Sequence, residues 1–294
     1  MVWRNLVLFI ALMPVFYSCK EGKTPVNTPP MEEEQKVKSI GDYTEVNGIK
    51  MYYEVHGEGK PMVLIHGGGS TISSNFGKII PIFSKFRKVI PMELQAHGRT
   101  SDRGVESTFE QDADDVAGLL QNLGIQKADV LGFSNGATTA LQFAIRHGEM
   151  LDRLVLCSPL AKRNGVPDWF WGFMEKSSLD QMPPALQDAF LSVNPDRHAL
   201  QIMHDRDAKR MVNFKDIPDE LIMGISSKAL IIIGENDIIT PQHAEALQKQ
   251  ISKAELAILP GGHGDWIGEV SGSKPENAGQ PLLAVPLIRQ FLEN

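Results

Sequence analysis

The chain has 294 residues, of which 42% are hydrophobic and 22% charged, and its formal net charge is −7. That length and balance suit one sizeable globular domain with a large core. The acidic surplus and the lack of a basic stripe exclude a nucleic-acid partner, since phosphate binding needs clustered Lys and Arg, and two cysteines, Cys19 and Cys157, exclude a disulfide scaffold.

The first residues differ from the rest. Arg4 precedes an apolar run from Leu6 to Phe16, followed by Tyr17, Ser18 and Cys19. The run is too short for a comfortable transmembrane helix and has the flanks of a signal peptide. Cys19, directly after a small residue, resembles a bacterial lipoprotein processing site, with Phe16 where the usual pattern prefers leucine. That resemblance implies that residues 1–19 end in a lipidated Cys19, the first residue of a membrane-tethered mature protein. The plainer alternative is an ordinary cleaved signal with Cys19 incidental. Either way the expectation is export, to the periplasm or to a bacterial membrane surface. Cys157 is then an unpaired thiol in a core strand. Residues 20–42 read as a flexible linker, because three prolines, few large apolar groups and the run Glu32, Glu33, Glu34 cannot offset ordering entropy.

From Tyr43 onward short apolar runs alternate with amphipathic stretches. Ile49 to Val55 predicts a strand after an Asn47-Gly48 turn. Met62 to Ile65 predicts a buried parallel strand. Phe76 to Phe86 reads as helical despite Pro81, and Lys88 to Leu94 as the next strand. Phe109 to Leu123 predicts a helix with Phe109, Val116, Leu119, Leu120 and Leu123 on one face, capped by Thr108 and ended by Gly124. Ala128 to Phe133 is a predicted strand, Asn135 to His147 a helix, and Leu151 to Cys157 a strand. Lys228 to Ile233 and Leu256 to Leu259 are the last strands, separated by a helix over Ala244 to Ile251. A final helix covers Leu282 to Leu292. This alternation predicts a mostly parallel sheet with helices on both faces. Residues 160 to about 225 hold no convincing strand and are too long for a connection. They predict a helical cap over the C-terminal edge of the sheet, where open α/β folds bind ligands.

The sharpest local pattern is Gly132-Phe133-Ser134-Asn135-Gly136, between a predicted strand and a predicted helix. A serine lifted above a sheet on so tight a turn needs neighbours with almost no side chain two residues to either side. The run His66-Gly67-Gly68-Gly69 follows the strand MVLI and offers backbone N–H groups to a developing oxyanion. Gly68 is the preferred donor there, with Gly69 the alternative. Asn135 N–H, at the positive end of the following helix, supplies the second. A serine nucleophile also needs a base and a group to orient it. Asp237 stands in GEND just after one late strand, and His263 in PGGHGD just after the other. Glu235 and Asp265 are competing acids.

Taken together, GFSNG, HGGG, GENDIITP and PGGHGD resemble the α/β-hydrolase superfamily over about residues 43–292. The stretch Glu93 to Thr100 resembles that family's turn after its fourth strand, with Glu93 where many relatives have aspartate. The resemblance implies an α/β-hydrolase fold over 43–294, with Ser134 as nucleophile, His263 as base and Asp237 as the orienting acid. It implies hydrolysis of an ester or related acyl bond of a small-molecule substrate, with no cofactor. An aminopeptidase or amidase on the same triad is the alternative, as is a binding protein that kept the fold and lost catalysis. Serine at the elbow disfavours dehalogenation, which would need aspartate there. His66 and His97 read as structural. His147, His198, His204 and His243 read as surface or cap residues, and the run His204 to Asp207 as a solvated helix face. Trp169 to Phe173 would either pack the cap or wall the substrate site. No cluster has metal-ligand spacing.

Overall fold

The computed structural model of the chain describes residues 40–271 and 282–294. The signal-like run, Cys19 and most of the linker lie outside the described residues.

The strands are β1 (Ile40–Val46), β2 (Ile49–Val55), β3 (Pro61–Ile65), β4 (Lys88–Met92), β5 (Ala128–Phe133), β6 (Leu151–Cys157), β7 (Lys228–Gly234) and β8 (Ala254–Leu259). They form one eight-stranded sheet in the order β1-β2-β4-β3-β5-β6-β7-β8. β1 and β2 pair antiparallel, β2 meets β4 antiparallel, and the rest are parallel. β1 reaches back to Ile40, so folded structure begins inside the segment read as linker. The reason is local: Asn47 (φ 45°) and Gly48 (φ 84°) are both left-handed, the two-residue turn that closes a hairpin, and Val46 pairs with Ile49.

The helices are α1 (Ile72–Phe76), α2 (Ile80–Phe83), α3 (Phe109–Asn122), α4 (Asn135–Arg146), α5 (Trp169–Glu175), α6 (Pro184–Val193), α7 (Arg197–Val212), α8 (Asp219–Met223), α9 (Pro241–Gln250) and α10 (Ala284–Glu293). The single helix expected over Phe76 to Phe86 is two short ones. The first ends at Gly77, and Pro81, lacking an N–H, fits only the first turn of the second. α3 is capped by Thr108, whose Oγ1 accepts from Gln111 N–H at 3.1 Å. Among the described residues no helix is long and apolar enough to cross a membrane.

Alternate residues of the central strands feed two cores. Val63 and Ile65 join α3, α4 and α9 on one face, while Met62 and Leu64 join α1, α2 and α10 on the other. Burial on both faces is why these strands read as continuous apolar runs. A third cluster of Met182, Leu186, Phe190, Leu200 and Met203 packs residues of the cap helices α6 and α7. Residues 160 to about 225 are helical and without strands, as expected. The register aligns the strand ends: Ile65 pairs with Gly132, Phe133 with Cys157, Cys157 with Ile232, and Gly234 with Leu259. The loops after β3, β5, β6, β7 and β8 therefore emerge along one edge. Cys157 ends β6 as a free, buried thiol whose pKa burial pushes up.

Candidate active site

Ser134 links β5 to α4 with φ 53° and ψ −120°, a conformation that L-residues rarely adopt. Two neighbours make it possible. A Cβ on Gly132 would stand 2.0 Å from Gly136 O, and one on Gly136 would stand 2.1 Å from Ile65 O. Ser134 N–H donates to Cys157 O at 2.8 Å, which fixes the turn to the neighbouring strand.

Ser134 Oγ lies 3.0 Å from His263 Nε2, and His263 Nδ1 lies 2.7 Å from Asp237 Oδ1. The carboxylate fixes the proton on Nδ1 and leaves Nε2 free to accept from the serine. Phe133 packs against the imidazole at 4.8 Å between ring centres. The Asp237 side chain is fully buried. It accepts further bonds from Ser158 Oγ at 2.6 Å, Gly234 N–H at 3.2 Å and Ile239 N–H at 3.1 Å. Burial by itself would raise the Asp237 pKa, but the His263 charge and these donors hold it below its ordinary value. Burial likewise favours neutral His263, and Asp237, with Glu269 and Asp265 behind, outweighs it and raises that pKa.

The competing acids stand elsewhere. Glu235 is exposed, and Asp265 accepts from Gly262 N–H at 2.8 Å, propping the loop that carries His263. Ser158, which sequence reasoning passed over, is the first residue after β6 and has φ 57°. A small hydroxyl at a strand end on the site edge is the signal that marks it.

The loop after β3 is held from below. His66 Nδ1 donates to Gly67 O at 2.8 Å, and its Nε2 accepts from Leu94 N–H at 3.1 Å. Burial and the neighbouring His97 push the His66 pKa down to about 3, so the ring is neutral and structural. Gly69 N–H donates to Asp207 Oδ2 at 2.7 Å. Among the described residues the Gly68 and Asn135 N–H groups donate to no protein acceptor, and both residues line the cavity above Ser134. Of the two glycines, Gly68 is thus the one with a donor to offer. Glu93 is buried, binds Arg99 through Nε at 3.0 Å and Nη2 at 2.6 Å, and takes Arg99 N–H at 2.7 Å, which stiffens the turn after β4.

The cavity of about 400 Å³ is roofed by the cap. Its walls include Leu160, Val166, Phe170, Phe173, Met174, Met182, Leu186, Met203, Met211, Ile238 and Ile239. The aromatic stretch is divided: Phe170 and Phe173 line the cavity, while Trp171 stacks on Phe214 and donates to Arg163 O at 2.9 Å, packing the cap.

Two expectations fail on α7 and α9. The run His204 to Asp207 is not a solvated face, because His204 and Asp207 are buried and line the cavity. Asp207 pairs with Arg210 on its own helix face and with His97 Nε2 at 3.0 Å, and Arg210 reaches Asp112. Hydrophobic periodicity is blind to a helix that buries charges against charges. Burial opposes ionised Asp207, but His97 and Arg210 hold its pKa well below normal, whereas burial pushes Asp112 up to about 6. His243 is not a surface residue either. It accepts from Ala161 N–H at 3.1 Å where the chain enters the cap, and burial drives its pKa down to about 4. Among the described residues no group of three His, Cys, Asp or Glu is arranged to hold a metal ion.

Residues 60–224 match the profile of the alpha/beta hydrolase fold. A 2-hydroxymuconate semialdehyde hydrolase of Pseudomonas sp. (strain CF600) is 28% identical over 261 residues, 80% of this chain and 91% of that protein. A putative non-heme chloroperoxidase of Synechocystis is 28% identical over 244 residues, 73% of this chain and 88% of that protein. Among solved structures, a serine hydrolase involved in carbazole degradation superposes with a TM-score of 0.70 at 20% identity, covering 87% of this chain and 99% of its own. A likeness at that identity speaks to the fold.

Proposed function

The chain belongs to the α/β-hydrolase family, and on that footing we propose that it is a serine hydrolase cleaving an ester or related acyl bond of a small molecule. The observation that carries this reading is the chain of contacts from Ser134 Oγ through His263 to buried Asp237, at 3.0 Å and 2.7 Å, on a strained turn beneath a cavity. In the proposed reaction Ser134 Oγ attacks the carbonyl carbon while His263 Nε2 takes its proton. The carbonyl oxygen becomes an oxyanion and accepts from the Gly68 and Asn135 N–H groups. The C–O bond to the leaving group then breaks as His263 returns the proton to that oxygen. Water, deprotonated by His263, attacks the acyl-enzyme and releases the acid and free Ser134.

The lining favours an uncharged substrate. Among the described residues the lining includes no lysine or arginine, and its one carboxylate, Asp207, is already held by Arg210, His97 and Gly69 N–H. A substrate amine finds no free anion there, which weighs against the aminopeptidase alternative. A substrate carboxylate finds no lysine or arginine among the described lining residues, and burying one unpaired costs several kcal/mol, roughly. The semialdehyde after which the Pseudomonas relative is named carries such a carboxylate, so neutral esters or lactones fit this cavity better. We propose further that the protein acts outside the cytoplasm, tethered through Cys19. Metabolic labelling with a fatty acid, lost in Cys19→Ala, is the corresponding measurement.

The test of the reaction is intact-mass labelling with a fluorophosphonate. A single adduct on the wild type, absent in Ser134→Ala and His263→Ala, is expected, together with turnover of neutral p-nitrophenyl esters. Folded wild-type protein that takes no label and turns over no ester would favour the non-catalytic binding reading.

A further inference from the structure

The cap end of the cavity carries a polar pair set among methionine side chains. Ser177, in the turn after α5, places its Oγ 3.2 Å from Nε2 of His204 on α7. The other ring nitrogen, Nδ1, lies 3.0 Å from Asp205 Oδ1. Ser177 and His204 both line the cavity, beside Met174, Met182 and Met203. His204 is 8% exposed, so its polar edge has little access to bulk water.

The contact pattern serine–histidine–aspartate repeats that at Ser134, but the surroundings do not support a second nucleophile. The backbone N–H groups on either side of the hydroxyl are already bonded, Ser177 N–H to Met174 O at 3.2 Å and Ser178 N–H to Gln181 Oε1 at 3.2 Å. No oxyanion could be received there. The Asp205 side chain is 62% exposed, so it cannot act as a buried orienting charge. Ser177 also lacks the left-handed backbone of Ser134. What remains is recognition.

We propose that Ser177 and His204 form a second binding point that holds a hydroxyl on the substrate's acyl chain, remote from the bond that Ser134 attacks. The inference rests on the hydrolase reading and adds to it. Nδ1 faces the Asp205 carboxylate as a donor, which leaves Nε2 as the acceptor facing the cavity, now filled by the Ser177 hydroxyl. A ligand hydroxyl satisfies both groups: it donates to His204 Nε2, and Ser177 turns to donate to its oxygen. One protein bond is exchanged for two to the ligand. A purely hydrocarbon chain would lie against the pair without making either, while a hydroxyl set against the methionine and leucine side chains would be buried unpaired and disfavoured.

The experiment uses p-nitrophenyl octanoate and its analogues with one hydroxyl moved along the chain. One position is expected to exceed the parent in kcat/KM by roughly tenfold, with neighbouring positions below the parent. In Ser177→Ala and in His204→Phe the ratio at that position should fall close to one. The ratio is internal to each variant, so partial loss of folded protein does not mimic the result. No position exceeding the parent, or an undiminished ratio in both variants, overturns the proposal. Failure of the hydrolase reading would show separately, as absence of turnover and of label. In that event the same comparison is made by calorimetry on Ser134→Ala with methyl octanoate and its hydroxy analogues. There, roughly tenfold tighter binding at one position upholds the subsite, and equal binding at all positions refutes it.

Discussion

Replacing Ser158 with alanine probes how much the buried acid depends on its own donors. Asp237 sits with its side chain out of water and accepts from His263, Ser158 Oγ and two backbone N–H groups. At 2.6 Å the hydroxyl makes the shortest of these bonds. A hydrogen bond to an ionised acceptor contributes about 1.5–3 kcal/mol, and a buried carboxylate left short of a donor loses that amount. Ser158→Ala should therefore lower unfolding stability by about 2 kcal/mol. Only the part of the bond that holds Asp237 aligned with His263 is felt in the transition state, so the kinetic effect is smaller. We expect kcat/KM on a neutral ester to fall about tenfold, corresponding to about 1.4 kcal/mol, with kcat carrying the loss. The left-handed backbone at this position is equally strained for serine and alanine, so it does not contribute. Urea denaturation and steady-state kinetics on the same preparation give both numbers, and Ser158→Thr, which restores a hydroxyl, should recover most of the activity. A kcat/KM within twofold of wild type, on protein destabilised as calculated, would refute the positioning role. No change in either quantity would mean the bond contributes nothing.

The pH dependence has a defined sign. His263 must be neutral to take the Ser134 proton, and its pKa is raised, so kcat/KM should fall on acidification through a midpoint above 6.5, seen in a pH–rate profile. His66 is buried neutral with its pKa near 3, against 6.5 when unfolded, so the unfolded chain takes up a proton that the native state refuses. Between those values stability should fall with pH by roughly 1 kcal/mol per unit from this group, measurable by denaturation at pH 7 and pH 5. Asp207→Ala leaves Arg210 and His97 without their shared anion and should cost about 3–5 kcal/mol, read as a lowered unfolding midpoint. Gly136→Ala would force a Cβ to 2.1 Å from Ile65 O, and we expect no soluble protein on expression.

What the sequence revealed follows from the range of the forces involved. The parallel strands were legible because burial on both faces leaves unbroken apolar runs, as in β3 and β7. The elbow was legible because its constraint is local: two glycines flank one serine within five residues. β1 was not, since IGDYTEV has weak alternation and becomes a strand by pairing with β2 across the Asn47-Gly48 turn. Asp207 and His204 were misread because their burial depends on partners 110 and 27 residues away, His97 and Ser177. Ser158 was missed for the same reason, being 79 residues from the carboxylate it serves. Charges and hydroxyls carry no periodicity that announces such partners.

The cavity wall draws four of its members, Met174, Met182, Met203 and Met211, from methionine. Unbranched thioethers rearrange at little energetic cost, so a wall made of them takes the outline of its guest. Chain length and branching would then be read loosely, and discrimination would fall to the few fixed polar atoms. A protein of this kind can acquire new substrates by moving one hydroxyl or one imidazole while its hydrocarbon lining stays as it is. Conversion of these thioethers to sulfoxides would make the wall polar and close the cavity to the neutral chains it otherwise accommodates.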